Sequence, residues 1–314
     1  MIVLLGGLLP EMMGGSADLG PSTHTKIDEA GNFEPEDWAG RNMHFGIREN
    51  AMGAILNGMA LHSGLIPYGG TFFVFSDYMR PPMRLAAMNA LPVIYIFTHD
   101  SIGMGEDGPT HQPVEQLIGL RSIPGMTVLR PADANETVAA WRVAIGRKQG
   151  PVALVLTRQS LPVLDLNYYP AIPVGVSQGG YILADFPEMQ PPEVILIASG
   201  SEVHLAIEAR DLLLNDGVNA RVVSMPSTNL FASQSDAYRE KVLPIGVPLL
   251  VIEAGSPVGW QSFVGPKIAV IGIDTFGSSA PGPAVMEHYG FTVENVCRQA
   301  HHVLEQLREK PSCV

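Results

Sequence analysis

Residues 92–113 read P-V-I-Y-I-F-T-H-D-S-I-G-M-G-E-D-G-P-T-H-Q-P. The first six form an apolar run bounded by turn residues, the pattern of a strand buried on both faces. The rest, 98–113, contains Gly103, Gly105, Gly108, Pro109 and Pro113, which exclude a helix or a central strand. It is a loop at the end of a buried strand, and in open α/β sheets ligands bind there. His99, Asp100, Glu106, Asp107 and His111 crowd into it. Glycine lets backbone approach a ligand closely, and histidine moves protons near neutral pH. The same composition also suits a solvated surface loop, and residue types alone do not choose between the two.

Outward from this stretch, further apolar runs at 151–157, 194–199, 219–225, 248–253 and 268–274 read as strands. They alternate with helical patterns at 80–89, 133–148 (capped by Asp133), 202–215 (closed by Gly217) and 292–307. The alternation predicts an α/β fold with two domains, each a mostly parallel sheet flanked by helices. The Pro-, Gly- and Tyr-rich stretch 166–192 reads as a linker with a small hairpin over 180–185, separating domains at 1–165 and 193–314. A chain of 314 residues accommodates two domains of ordinary size.

Residues 47–62 are apolar or small all round, which predicts a helix buried on every side. Close packing against another backbone would explain Gly53 and Gly58 inside it. Glu49 stands at its start. A buried carboxylate is costly to ionise unless paired. Arg48 is its sequence neighbour, but adjacent helix residues do not face each other, and the alternative is a general acid/base. The segment 69–78, G-G-T-F-F-V-F-S-D-Y, clusters aromatics that serve either a core or a wall for a planar ligand. Asp18 and Ser22 lie in the turn-rich G-G-S-A-D-L-G-P-S-T at 14–23. Arg158, where the 151–157 strand ends, is either a fork for phosphate or a surface cation. The helix opened by G-S-E at 200–202 could receive an anion at its N-terminus.

The net charge of −12 argues against nucleic acid and anionic membranes as partners. A charged fraction of only 16% suggests extensive burial, one source being a subunit interface. Two cysteines, Cys297 and Cys313, exclude a disulfide framework and a cysteine zinc site and fit a reducing cytoplasm. The apolar N-terminus lacks the basic flank of a signal peptide. The uncharged stretch 51–76 is broken by Asn57, His62, Pro67 and glycines, so no membrane span is expected. A metal site from His99, Asp107 and His111 is disfavoured, because the three lie on a Gly/Pro loop without i,i+4 spacing.

The quoted loop, G-G-S-A-D-L, I-R-E at 47–49, G-G-T-F-x-x-F-x-x-Y and R-Q-x-L-P at 158–162 occur in an order that resembles transketolases, which are thiamine diphosphate enzymes. The resemblance covers essentially the whole chain but only the second half of a transketolase. It implies that Glu49 hydrogen-bonds the pyrimidine ring of thiamine diphosphate and manages its protons. Phe72, Phe75 and Tyr78 would line the aminopyrimidine pocket, with Asp18 in the cofactor region. Ser22, His99 and Arg158 would meet the substrate phosphate, Asp107 a sugar hydroxyl, and His111 the reacting carbons. Asn50 stands where the family commonly has histidine. Segment 276–283, F-G-S-S-A-P-G-P, resembles the family's C-terminal domain, to which no catalytic residue is assigned and whose implied job is packing and subunit contact. The earlier domain that binds the diphosphate through Mg2+ or Ca2+ uses a G-D-G segment followed by an asparagine, and no such pair is found. The resemblance therefore implies a partner chain carrying that domain, a homodimer contact giving a heterotetramer, and transfer of a two-carbon ketol unit from a ketose phosphate to an aldose phosphate. A 1-deoxyxylulose-5-phosphate synthase, a β-type subunit of a 2-oxo acid dehydrogenase, and a non-catalytic module pairing with a complete transketolase remain as alternatives.

Overall fold

The computed structural model describes residues 1–35, 37–185, 191–265 and 268–308, with side chains to 306. Cys313 and part of the 166–192 stretch lie outside the described residues. The first sheet contains β1 (Met12–Ser16), β2 (Asn42–His44), β3 (Ile66–Phe72), β4 (Ile94–Thr98), β5 (Thr127–Leu129) and β6 (Val152–Val155). Its order is β2-β1-β3-β4-β6-β5, and every pairing is parallel. The second contains β7 (Tyr181–Ala184), β8 (Val194–Ala198), β9 (Ala220–Ser224), β10 (Leu249–Ile252) and β11 (Ile268–Ile271), ordered β11-β10-β8-β9-β7. It is parallel except for β7, which runs antiparallel to β9. β4, β6 and β8 are buried at every position, as strands covered by helices on both faces must be. This is the two-domain α/β architecture the alternating pattern predicts.

Several local expectations are corrected. The 180–185 stretch is not a hairpin: β7 joins the second sheet, and a helix, Ile172–Gln178, precedes it. The 47–62 helix runs Glu49–His62 and is not buried all round. Met52, Gly53, Leu56 and Asn57 face the core, while Ile47 is 80% and Leu61 67% exposed, with Ala51, Ala54, Ile55 and Gly58 between them on the outer side. Gly53 is tightly packed, but against side chains rather than the expected backbone: an added Cβ would lie 2.7 Å from Pro82 Cγ of the helix Ser76–Met88. Gly58 meets nothing within 4 Å. Glu202, the first residue of the helix Glu202–Asn215, turns its carboxylate to Arg130 and accepts from Ala254 N at 2.9 Å.

Buried ion pairs join the two domains. Arg130 is fully buried; its Nε donates to Asp100 Oδ2 at 2.8 Å and its Nη1 to Ser199 O at 2.9 Å and to Glu202 Oε2. Burial alone would lower its pKa, but the charges of Glu202 and Asp100 outweigh that and raise it. Arg121 forks onto Glu253, Nη1 to Oε1 at 2.7 Å and Nη2 to Oε2 at 2.8 Å, over the Trp260 ring. Burial alone would raise the Glu253 carboxyl, but Arg121, with help from Arg130, leaves it below its ordinary range. Glu136 runs the other way. Burial raises it despite bonds from Ser224, Tyr181 and Ala132.

These shifts have opposite pH signatures. A depressed native pKa means that the unfolded state holds more protons. The Glu253 contribution is thus present above the unfolded value, about 4.3, and is lost as pH falls through the native one. The Glu136 contribution is present below that unfolded value and is lost as pH rises through its native one. We expect Glu253→Gln to lower thermal stability at pH 7 and the gap to wild type to narrow below about pH 4. We expect Glu136→Gln to compare better with wild type at high pH than at low. Melting curves across pH check both signs.

Candidate active site

Every residue singled out in the first domain follows the carboxyl end of a parallel strand. β1 leads to Asp18, β2 to Glu49, β3 ends in Phe72, β4 leads to His99, and β6 leads to Arg158. The chain passes from β2 on one side of β1 to β3 on the other, so a topological switch point lies between β1 and β3. That is where open α/β sheets place their ligand crevice.

Glu49 is 7% exposed and opens its helix. Thr71 Oγ1, on β3, donates to Glu49 Oε1 at 3.3 Å. Arg48 does not pair with it; that guanidinium donates to Phe45 O at 3.2 Å. Thr71 precedes Phe72, whose ring stacks on Phe75 with centroids 6.1 Å apart and planes at 14°. Phe75 continues to Tyr78 at 6.0 Å, and Tyr78 is 64% exposed. Asn50 donates to Tyr78 O at 3.3 Å and so ties the helix start to this wall. The aromatics therefore form an open wall beside a buried carboxylate.

The two loop histidines join the same array. Phe72 lies 3.8 Å from the His99 ring and 6.4 Å from His111; Phe75 lies 5.4 Å from His111, nearly edge-on at 72°. His99 has φ +61, in the left-handed region that histidine tolerates better than most residues. Thr98 Oγ1 bonds its Nδ1 at 2.9 Å and fixes the ring. Burial lowers the His99 pKa and the Arg158 cation lowers it further, with Asp107 and Asp100 opposing. Burial and Arg158 both favour the uncharged imidazole.

Ser22, His99 and Arg158 line one cleft of about 540 Å3, together with His24 and Thr157. Asp18 lines a neighbouring cleft of about 420 Å3 with Ser16, Lys26, Asp28 and His44, and Pro21 and His24 border both. Asp107 is exposed, and His111 is half-buried with Nδ1 3.0 Å from Thr110 Oγ1. The structure thus brings Glu49, Phe72, Phe75, Tyr78, His99 and His111 into one array and sets Ser22 and Arg158 beside it. Asp18 has φ +63 and sits at the second cleft. Among the described residues, no group of three or more His, Cys, Asp or Glu could hold a metal ion, so the His99–Asp107–His111 metal reading gains no support.

Sequence reasoning missed Thr71, Thr98 and His24, and it missed the grip on the loop itself. Gln112 is buried, and its Nε2 donates to Gly105 O at 2.8 Å, to Ser278 O at 2.9 Å and to Ile102 O at 3.3 Å. Gln112 was visible inside the quoted motif, but its partner Ser278 lies in the other domain, beyond any spacing rule.

The family description "Transketolase, pyrimidine binding domain" matches residues 2–163, and "Transketolase-like TK C-terminal domain" matches residues 179–292. The chain belongs to the transketolase family. A transketolase from Halalkalibacterium halodurans is 54% identical over 298 residues, covering 95% of this chain and 44% of the relative. The solved structure of a transketolase from Leishmania mexicana superposes with a TM-score of 0.92 at 41% identity, over 99% of this chain and 45% of that one. A structure described as a split gene transketolase, inactive beta4 tetramer, matches 97% of this chain and 95% of its own length at 26% identity, with a TM-score of 0.72. The chain spans under half the length of the full-length transketolases it matches and nearly all of the split one. Within the family frame, the array described above occupies the pyrimidine-binding domain.

Proposed function

We propose that this chain carries the pyrimidine side of a transketolase site and works with a complementary chain that supplies the diphosphate-binding domain. The observation that carries the reading is the Glu49–Thr71–Phe72–Phe75 array beside the Ser22–His99–Arg158 cleft. The residues fit the cofactor's ring. Phe72, Phe75 and Tyr78 offer a flat, partly open aromatic face, and Glu49 is a buried carboxylate whose only hydrogen-bond partner among the described residues is Thr71. Thiamine diphosphate, when bound, supplies the carbanion chemistry that lets a two-carbon ketol unit leave a ketose phosphate and join an aldose phosphate.

This chain's residues orient substrate and manage protons. Glu49 uses one oxygen to accept from Thr71 and has the other free to share a proton with a ring nitrogen. Phe72, Phe75 and Tyr78 hold a ring in place, and Asp18 borders the cofactor region. Arg158 provides a fork for phosphate, with Ser22 and His99 beside it in the cleft. Asp107 takes a sugar hydroxyl, and His111, set edge-on to Phe75, stands at the reacting carbons. The metal ion that anchors the diphosphate, Mg2+ or Ca2+, would be held by the complementary chain.

Two observations support assembly. The match to the split transketolase neighbour spans 95% of that chain, and the Glu49–His62 helix leaves its apolar outer side exposed among the described residues, an expensive exposure for a solitary chain. A homodimer contact across such faces would give a heterotetramer. No described helix is long and apolar enough to cross a membrane, and we assign the assembly to the cytoplasm, consistent with a free Cys297.

Co-expression with a chain bearing the G-D-G domain, followed by a donor screen, tests the reading. Turnover with ketose phosphates and aldose phosphate acceptors is expected, with none from pyruvate. Pyruvate turnover would favour 1-deoxyxylulose-5-phosphate synthase or a 2-oxo acid dehydrogenase β-type subunit. No turnover in a stable complex would favour a non-catalytic module.

A further inference from the structure

We propose that the second-domain segment 276–282 is a positioning element for the substrate loop, holding the backbone from which Asp107 and His111 project. The proposal deepens the transketolase reading and rests on it. It gives the second domain a part in the reaction beyond packing.

The grip is built at backbone level. Gln112 Nε2 has two hydrogens and shares them among Ile102 O, Gly105 O and Ser278 O, so one amide ties both ends of the Ile102–Met104 turn to the second domain. Ser279 Oγ donates to Glu106 O, directly before Asp107. Tyr289 OH donates to Phe276 O at 2.9 Å and lies 3.0 Å from Ser278 Oγ, anchoring the segment from behind.

The contact leaves no room for side chains. A Cβ on Gly277 would fall 1.8 Å from Gln112 Oε1, and one on Gly282 would fall 2.4 Å from Gly103 O. On the loop side, Gly105 has φ +88, and its Cβ would lie 2.7 Å from Gly282 N. Two glycine-bearing segments from different domains thus press backbone on backbone, the use to which glycine is suited. Asp107 sits between two of the gripped residues, Glu106 and Gly108, and the Cβ of the latter would meet Ser279 Cβ at 3.1 Å. His111 immediately precedes Gln112. Misplacing a substrate contact by about 1 Å can cost about 10²-fold in rate, so a loop carrying two such contacts gains from being held at this many points.

Three variants separate positioning from general stability. Gly282→Ala forces the Gly103 backbone to move, Gly277→Ala displaces the Gln112 side chain, and Gln112→Met keeps the volume but removes the hydrogen bonds. Amide hydrogen exchange on the isolated chain is read first. At least about tenfold faster exchange over residues 102–112 is expected, with the strands of both sheets unchanged. In the reconstituted complex, the same variants should lower kcat/KM for sugar phosphates by about 10–10²-fold while cofactor affinity stays at the wild-type value. Unchanged loop exchange in all three variants would overturn the proposal. So would faster loop exchange with unchanged kcat/KM. A wild-type complex that fails to turn over any sugar phosphate would instead overturn the transketolase reading, which loop exchange does not measure.

Discussion

Glu49→Gln is expected to cost the reconstituted complex about 10²–10⁴-fold in turnover, the usual worth of a positioned acid/base. Its melting temperature should stay within error of wild type. Glutamine has the same shape, and its carbonyl oxygen still accepts from Thr71 Oγ1, the one hydrogen bond the carboxylate makes among the described residues. What it loses is the capacity to exchange a proton with a ring nitrogen. Because the side chain is 7% exposed, bulk water is poorly placed to substitute. The loss should fall on kcat, with substrate KM little changed, since Glu49 does not line the Ser22–His99–Arg158 cleft. Steady-state kinetics at saturating cofactor and a melting curve decide it. A rate within threefold of wild type, a factor of roughly 0.7 kcal/mol, would remove Glu49 from the reaction.

The largest effect on stability is expected at Arg130. Arg130→Leu should destabilise the chain by about 3–5 kcal/mol, the usual cost of removing one member of a buried charge cluster. Asp100 and Glu202 would be left buried without their cation, and Ser199 O would lose a donor. That is a large share of the roughly 5–15 kcal/mol by which a domain is usually stable. The loss should appear as loosened docking between domains, because Asp100 follows β4 in one and Glu202 opens a helix in the other. Asp100 also follows His99 directly, so the same variant should disturb that histidine of the candidate site. Denaturant unfolding with separate probes, Trp141 in the first domain and Trp260 in the second, would show two transitions where wild type shows closer coupling. Joint replacement of Arg130, Asp100 and Glu202 by apolar residues of similar volume should recover much of the loss, since buried ion clusters are often replaceable at little net cost.

What could be read in advance follows from the range of the interactions. β4, β6 and β8 announce themselves as apolar runs because both faces are covered, and the motif residues sit at strand ends where loop chemistry interrupts those runs. β2 is three residues, Asn-Met-His, at the edge of its sheet. Such a segment has too few apolar positions for any period to show. The Gln116–Arg121 helix, at six residues, is too short for a helical period to show. The Glu49–His62 helix was read correctly as apolar all round and wrongly as buried all round. Periodicity reports what a face prefers, and among the described residues nothing covers Ala51, Ala54 and Ile55. Arg130 gave no signal at all, because its partners stand 30 and 72 positions away. The grip of 276–282 on the loop was equally silent, because its partners Gln112 and Glu106 stand 166 and 173 positions away.

The most direct test of the account is calorimetric titration of thiamine diphosphate with Mg2+ into this chain, alone and after assembly with a chain bearing the diphosphate-binding domain. The account predicts little or no heat from the isolated chain and tight stoichiometric binding by the assembly, with affinity weakened in Phe75→Ala. Tight binding by the isolated chain, or an assembly that binds no cofactor, would contradict it.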